Sequence, residues 1–448
     1  MQNLFLLFAS YVFYGFADWR MIPLLLTVTA LYYGLGIALE RTSGRKNDIL
    51  AISGVVLSLA ILLYFKYFNF FIQSFSDLFL SLGLKTNWHT FSIILPLGLS
   101  YYSFKLISYV LEIRRGKMEA CHDFISFAIF VAFFPTITAG PIDRPNRFIP
   151  QLQKTRNFDY FMTIDGCRQI LWGLFKKMVI ADTLSPIVDN AWTTAQGVGL
   201  VLAAILYTIQ MYTDFSGYSD IAIGLGKMMG LKIAKNFNYP FFSTNISEFW
   251  RRWHMSLTSW LTDYVFMPLN VRFRNWGKAG IILAIIINMV LVGMWHGANW
   301  TYAVFGLYQG LLFIPVILKG KLGKTPKLKV NRFGLPCLLD SLKMIGIFLL
   351  YTFGAILFRS DNLLSAFQYY AHIFDPNSIL FKIPISCLFF ILVVLAVEWQ
   401  QRNRDHGLDI SGKGIFRYGW VRIVLYSILI LLVLSYSGQN IQFIYFQF

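Results

Sequence analysis

The chain has 448 residues, 56% hydrophobic and only 14% charged, with a net charge of +17. A soluble domain carries roughly 25% charged residues, so this composition excludes an ordinary soluble protein and makes lipid the expected solvent. The cations fall mostly in short loops between apolar segments, the positive-inside pattern of a membrane protein, so the charge does not call for nucleic acid.

The expected fold is all-α: a polytopic integral membrane protein forming a single domain over 1–448. Helices are the reasonable spanning element because backbone groups in lipid must be satisfied locally. Apolar segments of about the 20 residues a bilayer needs fall at 3–17, 21–39, 49–72, 91–113, 122–140, 167–191, 198–226, 280–296, 299–318, 341–358, 379–398 and 421–437. The first lacks a basic leader and reads as a retained helix rather than a cleaved signal. Parity is consistent with Arg41–Asp48 and Arg114–Lys117 on the cytoplasmic side. The basic stretches Arg272–Lys278, Lys319–Arg332 and Arg402–Arg422 can share that side, with the C-terminus outside. The segment 122–140 ends in Phe134–Pro135 and Gly140–Pro141 and is expected to be re-entrant, since Pro and Gly break helices. Cys121, Cys167, Cys337 and Cys387 have no CxxC spacing, so neither a metal site nor a disulfide framework is expected.

The stretch from Gln210 to Asn299 is polar and aromatic together: QMYTDFSGYSDIAIG at 210–224, SEFWRRWHMSLTSWLTDY at 247–264 and MWHGANW at 294–300. So many hydrogen-bonding groups in a membrane chain are expected to line a cavity. Asn245 and Glu248 have capping-box spacing and predict a helix through Tyr264. Trp250, Trp253, His254, Leu257, Leu261 and Tyr264 would share one face, and Arg252, Ser256, Ser259 and Asp263 another. That pattern suits an interfacial helix with its Trp and Arg residues at headgroup level. His296 ends an apolar run. It is either a histidine bonded to a neighbouring helix or a general base, a role suited to an imidazole with an ordinary pKa of about 6.5. Asp214 and Asp220 are expected to cap or bond backbone where Gly217 and Gly224 loosen their helix.

Taken together, Phe134–Pro135, Ala139–Arg144 (AGPIDR), Gln210–Gly224, Asn236–Pro240, Phe249–His254, Asp263–Tyr264, Pro268–Leu269 and Trp295–Asn299 resemble the successive motifs of the membrane-bound O-acyltransferases. The likeness is closest to the bacterial branch of alginate O-acetylation and teichoic-acid D-alanylation proteins, and is densest over about 130–310. It implies roughly 10–12 membrane helices with re-entrant and interfacial pieces around a central funnel entered from the cytoplasm. It implies that His296 is the catalytic histidine and His254 the second histidine of this branch. Trp253, Arg251, Arg252, Asp214 and Asn299 are candidates for binding substrate. The donor would be a cytoplasmic acyl thioester such as acetyl-CoA, with no bound cofactor or metal. The acceptor would be a polysaccharide hydroxyl on the other face, an exported or membrane-tethered acetyltransferase would be the partner, and the bacterial inner membrane the location. D-alanyl transfer is the alternative. A transporter or a structural assembly partner would suit the same polar cavity without consuming thioester. Members of the branch usually carry a further apolar helix ahead of the segment that here starts at Asn3, so a truncated or misassigned start is expected.

Overall fold

A computed structural model describes all residues except 85–87, 89, 327, 333, 411, 413, 439, 440, 442 and 444–448. Lys327 and Lys413 of the basic loops, and the C-terminal residues expected outside, lie beyond the described set. The described residues are almost entirely helical, and their extended pairings are two isolated bridges, Gln196 with Ile379 and Val330 with Pro336.

In chain order the helices are α1 (Gln2–Asp18), α2 (Ile22–Glu40), α3 (Gly44–Leu62), α4 (Phe68–Ser81), α5 (Leu99–Arg114), α6 (Phe124–Ala132), α7 (Pro145–Gln153), α8 (Tyr160–Leu174), α9 (Asp182–Thr194) and α10 (Val198–Met228). There follow α11 (Ile246–Trp250), α12 (Met255–Leu261), α13 (Met267–Arg272), α14 (Gly277–His296), α15 (Trp300–Leu311), α16 (Ile314–Leu318), α17 (Leu338–Arg359), α18 (Leu363–His372), α19 (Ile385–Gln400) and α20 (Gly419–Ser435). Six described helical runs are long and apolar enough to cross a membrane: Gln2–Glu40, Gly44–Ser81, Val198–Met228, Arg274–His296, Trp300–Leu318 and Leu338–Arg359. α19 and α20 are shorter apolar helices. The chain is a multi-pass membrane protein.

Two compact units divide the chain, Met1–Thr163 with Gly226–Ala234, and Ile164–Leu225 with Lys235–Phe448. In the first unit, α5 packs against α2 and α3, and α6 against α1 and α2. The two apolar segments at 3–17 and 21–39 are α1 and α2, joined through extended Asp18 and a 3-10 turn at Trp19–Met21, where Asp18 accepts the Arg20 amide. Residues 91–98 are not helical, so the predicted span at 91–113 shrinks to α5. α6 has nine residues, about 14 Å at 1.5 Å per residue, and the chain turns at 133–140. Segment 122–140 is thus a broken helix too short to cross. Its freed backbone finds side-chain partners: Lys105 donates to the Phe130 carbonyl at 3.1 Å, and the Phe134 amide donates to Ser10 at 3.3 Å.

In the second unit, α14 and α15 form an antiparallel pair, α15 packs on α17, and α12 packs on α14. The pair is close because glycines face each other across it. A Cβ on Gly293 would stand 2.0 Å from the Tyr302 carbonyl oxygen, and one on Gly306 2.3 Å from that of Met289. Small residues serve this purpose where helices meet in lipid. The same holds for α8 and α10, where Gly173 meets the Gly217 carbonyl and Gly224 meets that of Gly166. Gly217 and Gly224 therefore admit a neighbouring backbone, and α10 runs unbroken through both.

Candidate active site

The predicted helix from Asn245 to Tyr264 is broken, and the break makes the site. Asn245 caps α11 as expected, accepting the Glu248 amide at 2.9 Å. The Glu248 carboxylate turns to the amide and hydroxyl of Thr244 and to Arg252. After one turn and a half the helix ends, and His254 takes a left-handed conformation (φ 43°, ψ 52°) before α12 begins. Non-glycine residues adopt that region uncommonly, and they persist there when surrounding contacts hold them. Asn236 provides those contacts. Its carbonyl accepts the Met255 amide at 2.8 Å, and the Arg252 carbonyl accepts the Asn238 amide at 2.9 Å. Its side-chain oxygen accepts from the Ser256 hydroxyl at 2.8 Å and sits 3.0 Å from His254 Nδ1. Its amide nitrogen donates to Ser219 at 3.1 Å. Backbone pairing across 236–238 and 252–255 thus wins over helix propagation, and the expected single face does not form.

These contacts settle the tautomer of His254. An amide oxygen accepts only, so Nδ1 carries the proton and Nε2 presents its lone pair. Burial pushes the imidazole pKa down to about 3, because desolvation penalises the charged form. His254 is neutral at any physiological pH.

His296 closes α14, and its ring lies 6.3 Å from that of His254 between centroids. Trp295 stands edge-on to both, 5.6 Å from His254 and 5.1 Å from His296. Phe215 and Phe237 complete the wall around His254, and Phe358 of α17 lies 4.9 Å from the His296 ring. Both histidines are buried. The structure thus brings together the two histidines that lie 42 positions apart in sequence, in an apolar aromatic setting with one fixed in tautomer.

The other candidates are placed differently. Trp253 is buried in an aromatic stack, 5.6 Å from Phe249 and 4.9 Å from Tyr351. Arg252 pairs with Glu248 at 2.7 Å. Arg251 donates to the Lys324 carbonyl and the Thr325 hydroxyl, which ties it to the basic loop 319–332. Burial lowers its pKa. Asp214 lies 2.9 Å from Lys177, which also holds Asp182, and Asp220 lies 2.7 Å from Lys176. Those lysines sit in a π-helical turn, Phe175–Ala181, between α8 and α9. The expectation that the two aspartates bond backbone missed this, because nothing local in sequence pairs α10 with residues some 40 positions earlier. Asn299 caps α15 through the Thr301 amide and donates to the Asp361 carbonyl at 2.6 Å. Asp143 of AGPIDR, in the other unit, holds the Ala234 amide at 2.9 Å, and burial raises its pKa to about 6.

Sequence reasoning missed the roles of Asn236 and Phe358. Asn236 lay inside a noted motif, but Asn238 alternates with it between the same aromatic residues, so nothing local singled it out. Phe358 gives no signal, being one apolar residue among many at the end of α17.

Residues 12–336 match the model of the membrane-bound O-acyltransferase family. The chain belongs to that family. It is 40% identical to a probable alginate O-acetylase of Pseudomonas aeruginosa over 84% of this chain and 70% of that one. It is 34% identical to another of Azotobacter vinelandii over 100% and 95%. A peptidoglycan O-acetyltransferase of Helicobacter pylori is 32% identical over 69% of this chain and 63% of its own. A teichoic acid D-alanyltransferase of Bacillus subtilis is 35% identical over 49% and 58%. The protein is an O-acyltransferase of the membrane.

Proposed function

We propose that the protein transfers an acetyl group from acetyl-CoA on the cytoplasmic side of the bacterial inner membrane to a hydroxyl of an exported or cell-surface polysaccharide. The carrying observation is the buried histidine pair, 6.3 Å between ring centroids, at the end of a membrane helix. In the proposed step His296 takes the proton of the attacking hydroxyl, and the oxygen forms a bond to the thioester carbonyl carbon. The C–S bond then breaks, and the departing thiolate takes the proton back from His296, leaving ester and thiol. Such base catalysis is typically worth about 10²–10⁴ in rate, with the remainder from positioning. With Nδ1 committed to Asn236, His254 serves as an acceptor through Nε2 and orients the incoming hydroxyl or the His296 ring. Trp253 or a backbone donor is left to steady the oxyanion.

The tie between Arg251 and the basic loop supports donor binding at that end, where Arg251, Arg252 and Arg272 would meet coenzyme A phosphates. Acetyl is preferred to D-alanyl because the O-acetylase relatives align over 84–100% of this chain and the D-alanyltransferase over half. A separate exported or membrane-tethered acetyltransferase would work with it in modifying the polymer.

The test is thioester consumption by purified protein in nanodiscs. His296→Ala is expected to fold normally and lose transfer at least 100-fold. Undiminished transfer, or passage of intact solute without thioester cleavage, would remove the proposal.

A further inference from the structure

Beside the histidine pair lies a cavity that the transfer step does not use. It measures about 760 Å³ and is bounded by α9, α10, α15, α17 and α18 with loops between them, within the range of small-molecule sites. Its walls include Trp192, Tyr302, Arg359, Asp361 and Gln368. Arg359 is held rigidly: its guanidinium lies 4.8 Å from the Trp192 ring and 5.0 Å from that of Tyr207, and it pairs with Asp189 at 2.5 Å. The loop after α18 closes one side, where the Gly197 amide donates to the His372 carbonyl at 3.1 Å and Gln196 bridges to Ile379. The site is therefore preformed.

Two features say what it faces. First, it lies at the ends of α14 and α17 remote from the basic loops 272–278 and 319–332, which is the extracytoplasmic side by the positive-inside rule. Second, it approaches His296 through one layer of rings. Tyr302, a wall residue, lies 5.0 Å from Phe358, and Phe358 lies 4.9 Å from His296.

We propose that this cavity binds a sugar residue of the acceptor polysaccharide and delivers its hydroxyl past Phe358 to His296. The inference rests on the acceptor named under the proposed function and assigns it a place. The lining favours a sugar over a protein hydroxyl. Asp361, Gln368 and Arg359 offer acceptors and donors together, which a ring with several hydroxyls satisfies at once. A polypeptide segment would instead need backbone partners, and the main-chain groups of Gln196 and Gly197 are spent on Ile379 and His372.

The experiment uses the full chain in nanodiscs with labelled acetyl-CoA, an alginate-derived tetrasaccharide as probe, and glycerol as a small acceptor. Asp361→Ala and Gln368→Ala are expected to raise the tetrasaccharide KM about tenfold. The kcat, transfer to glycerol and thiol release without acceptor should be unchanged. Unchanged tetrasaccharide KM in both variants, with the unaltered chain active, overturns the cavity's assignment alone. If the unaltered chain cleaves acetyl-CoA but labels no sugar, both the assignment and the polysaccharide half of the proposed function fall.

Discussion

Asn236 is the residue on which the geometry of the histidine pair depends. Its side-chain oxygen serves His254 Nδ1, the Ser256 hydroxyl and the Ser256 amide. Asn236→Ala should cost about 1–3 kcal/mol by leaving buried donors unmatched, read as a lowered Tm together with loss of acyl transfer. Asn236→Asp, which keeps the acceptor, should recover part of both. A second outcome concerns acid. His254 titrates at about 3 when folded and at about 6.5 when unfolded, so below pH 6.5 the unfolded chain binds more protons. The associated stability is complete above pH 6.5 and declines as pH falls towards 3. The decline is on the order of 2 kcal/mol by pH 5. His254→Asn should therefore lose less Tm between pH 7 and pH 5 than the unaltered protein; an equal loss would place His254 in a wetter setting. Neither residue's role was readable locally. The sequence pattern put His254 on a helix face, because periodicity cannot register a pairing between residues 236–238 and 252–255.

Among the elements, the α14–α15 pair was visible as two apolar runs flanking MWHGANW. What positions it is the glycine contact, invisible until the partner backbone is known. Gly293→Ala would put a methyl 2.0 Å from the Tyr302 carbonyl. Overpacking of this kind typically costs about 1–3 kcal/mol and should displace His296, so kcat is expected to fall more than KM rises. Ala substitution at Gly346, with nothing within 4 Å of its Cβ, should leave both constants unchanged. The broken helix at 122–140 shows the opposite case. Its Pro and Gly residues announced the break in sequence, while Lys105 and Ser10, the groups that make the break tolerable, come from distant helices.

Over the whole molecule, the length of the apolar runs and the scarcity of charge were enough to read an all-helical, multi-pass chain, and the dispersed motifs carried the family. The cavity could not be read, since it assembles wall residues from 192 to 372 out of five helices. Its sidedness is checkable. In a variant with the four cysteines replaced by Ser, Cys at Thr193 should react with a membrane-impermeant maleimide added outside intact cells. Cys at Thr325 should react only after the membrane is opened. Labelling of the Thr325→Cys variant but not of Thr193→Cys from outside would reverse this orientation. The single ring of Phe358 then has a consequence for fidelity. On the proposed mechanism, a thioester held at His296 would be exposed to water from the far compartment unless something apolar bars the way. Phe358→Ala should open that path, and coenzyme A would be released fruitlessly in proportion to leakage rather than to acceptor present. Discrimination between a polymer and solvent would thus rest on a hydrocarbon barrier one side chain thick.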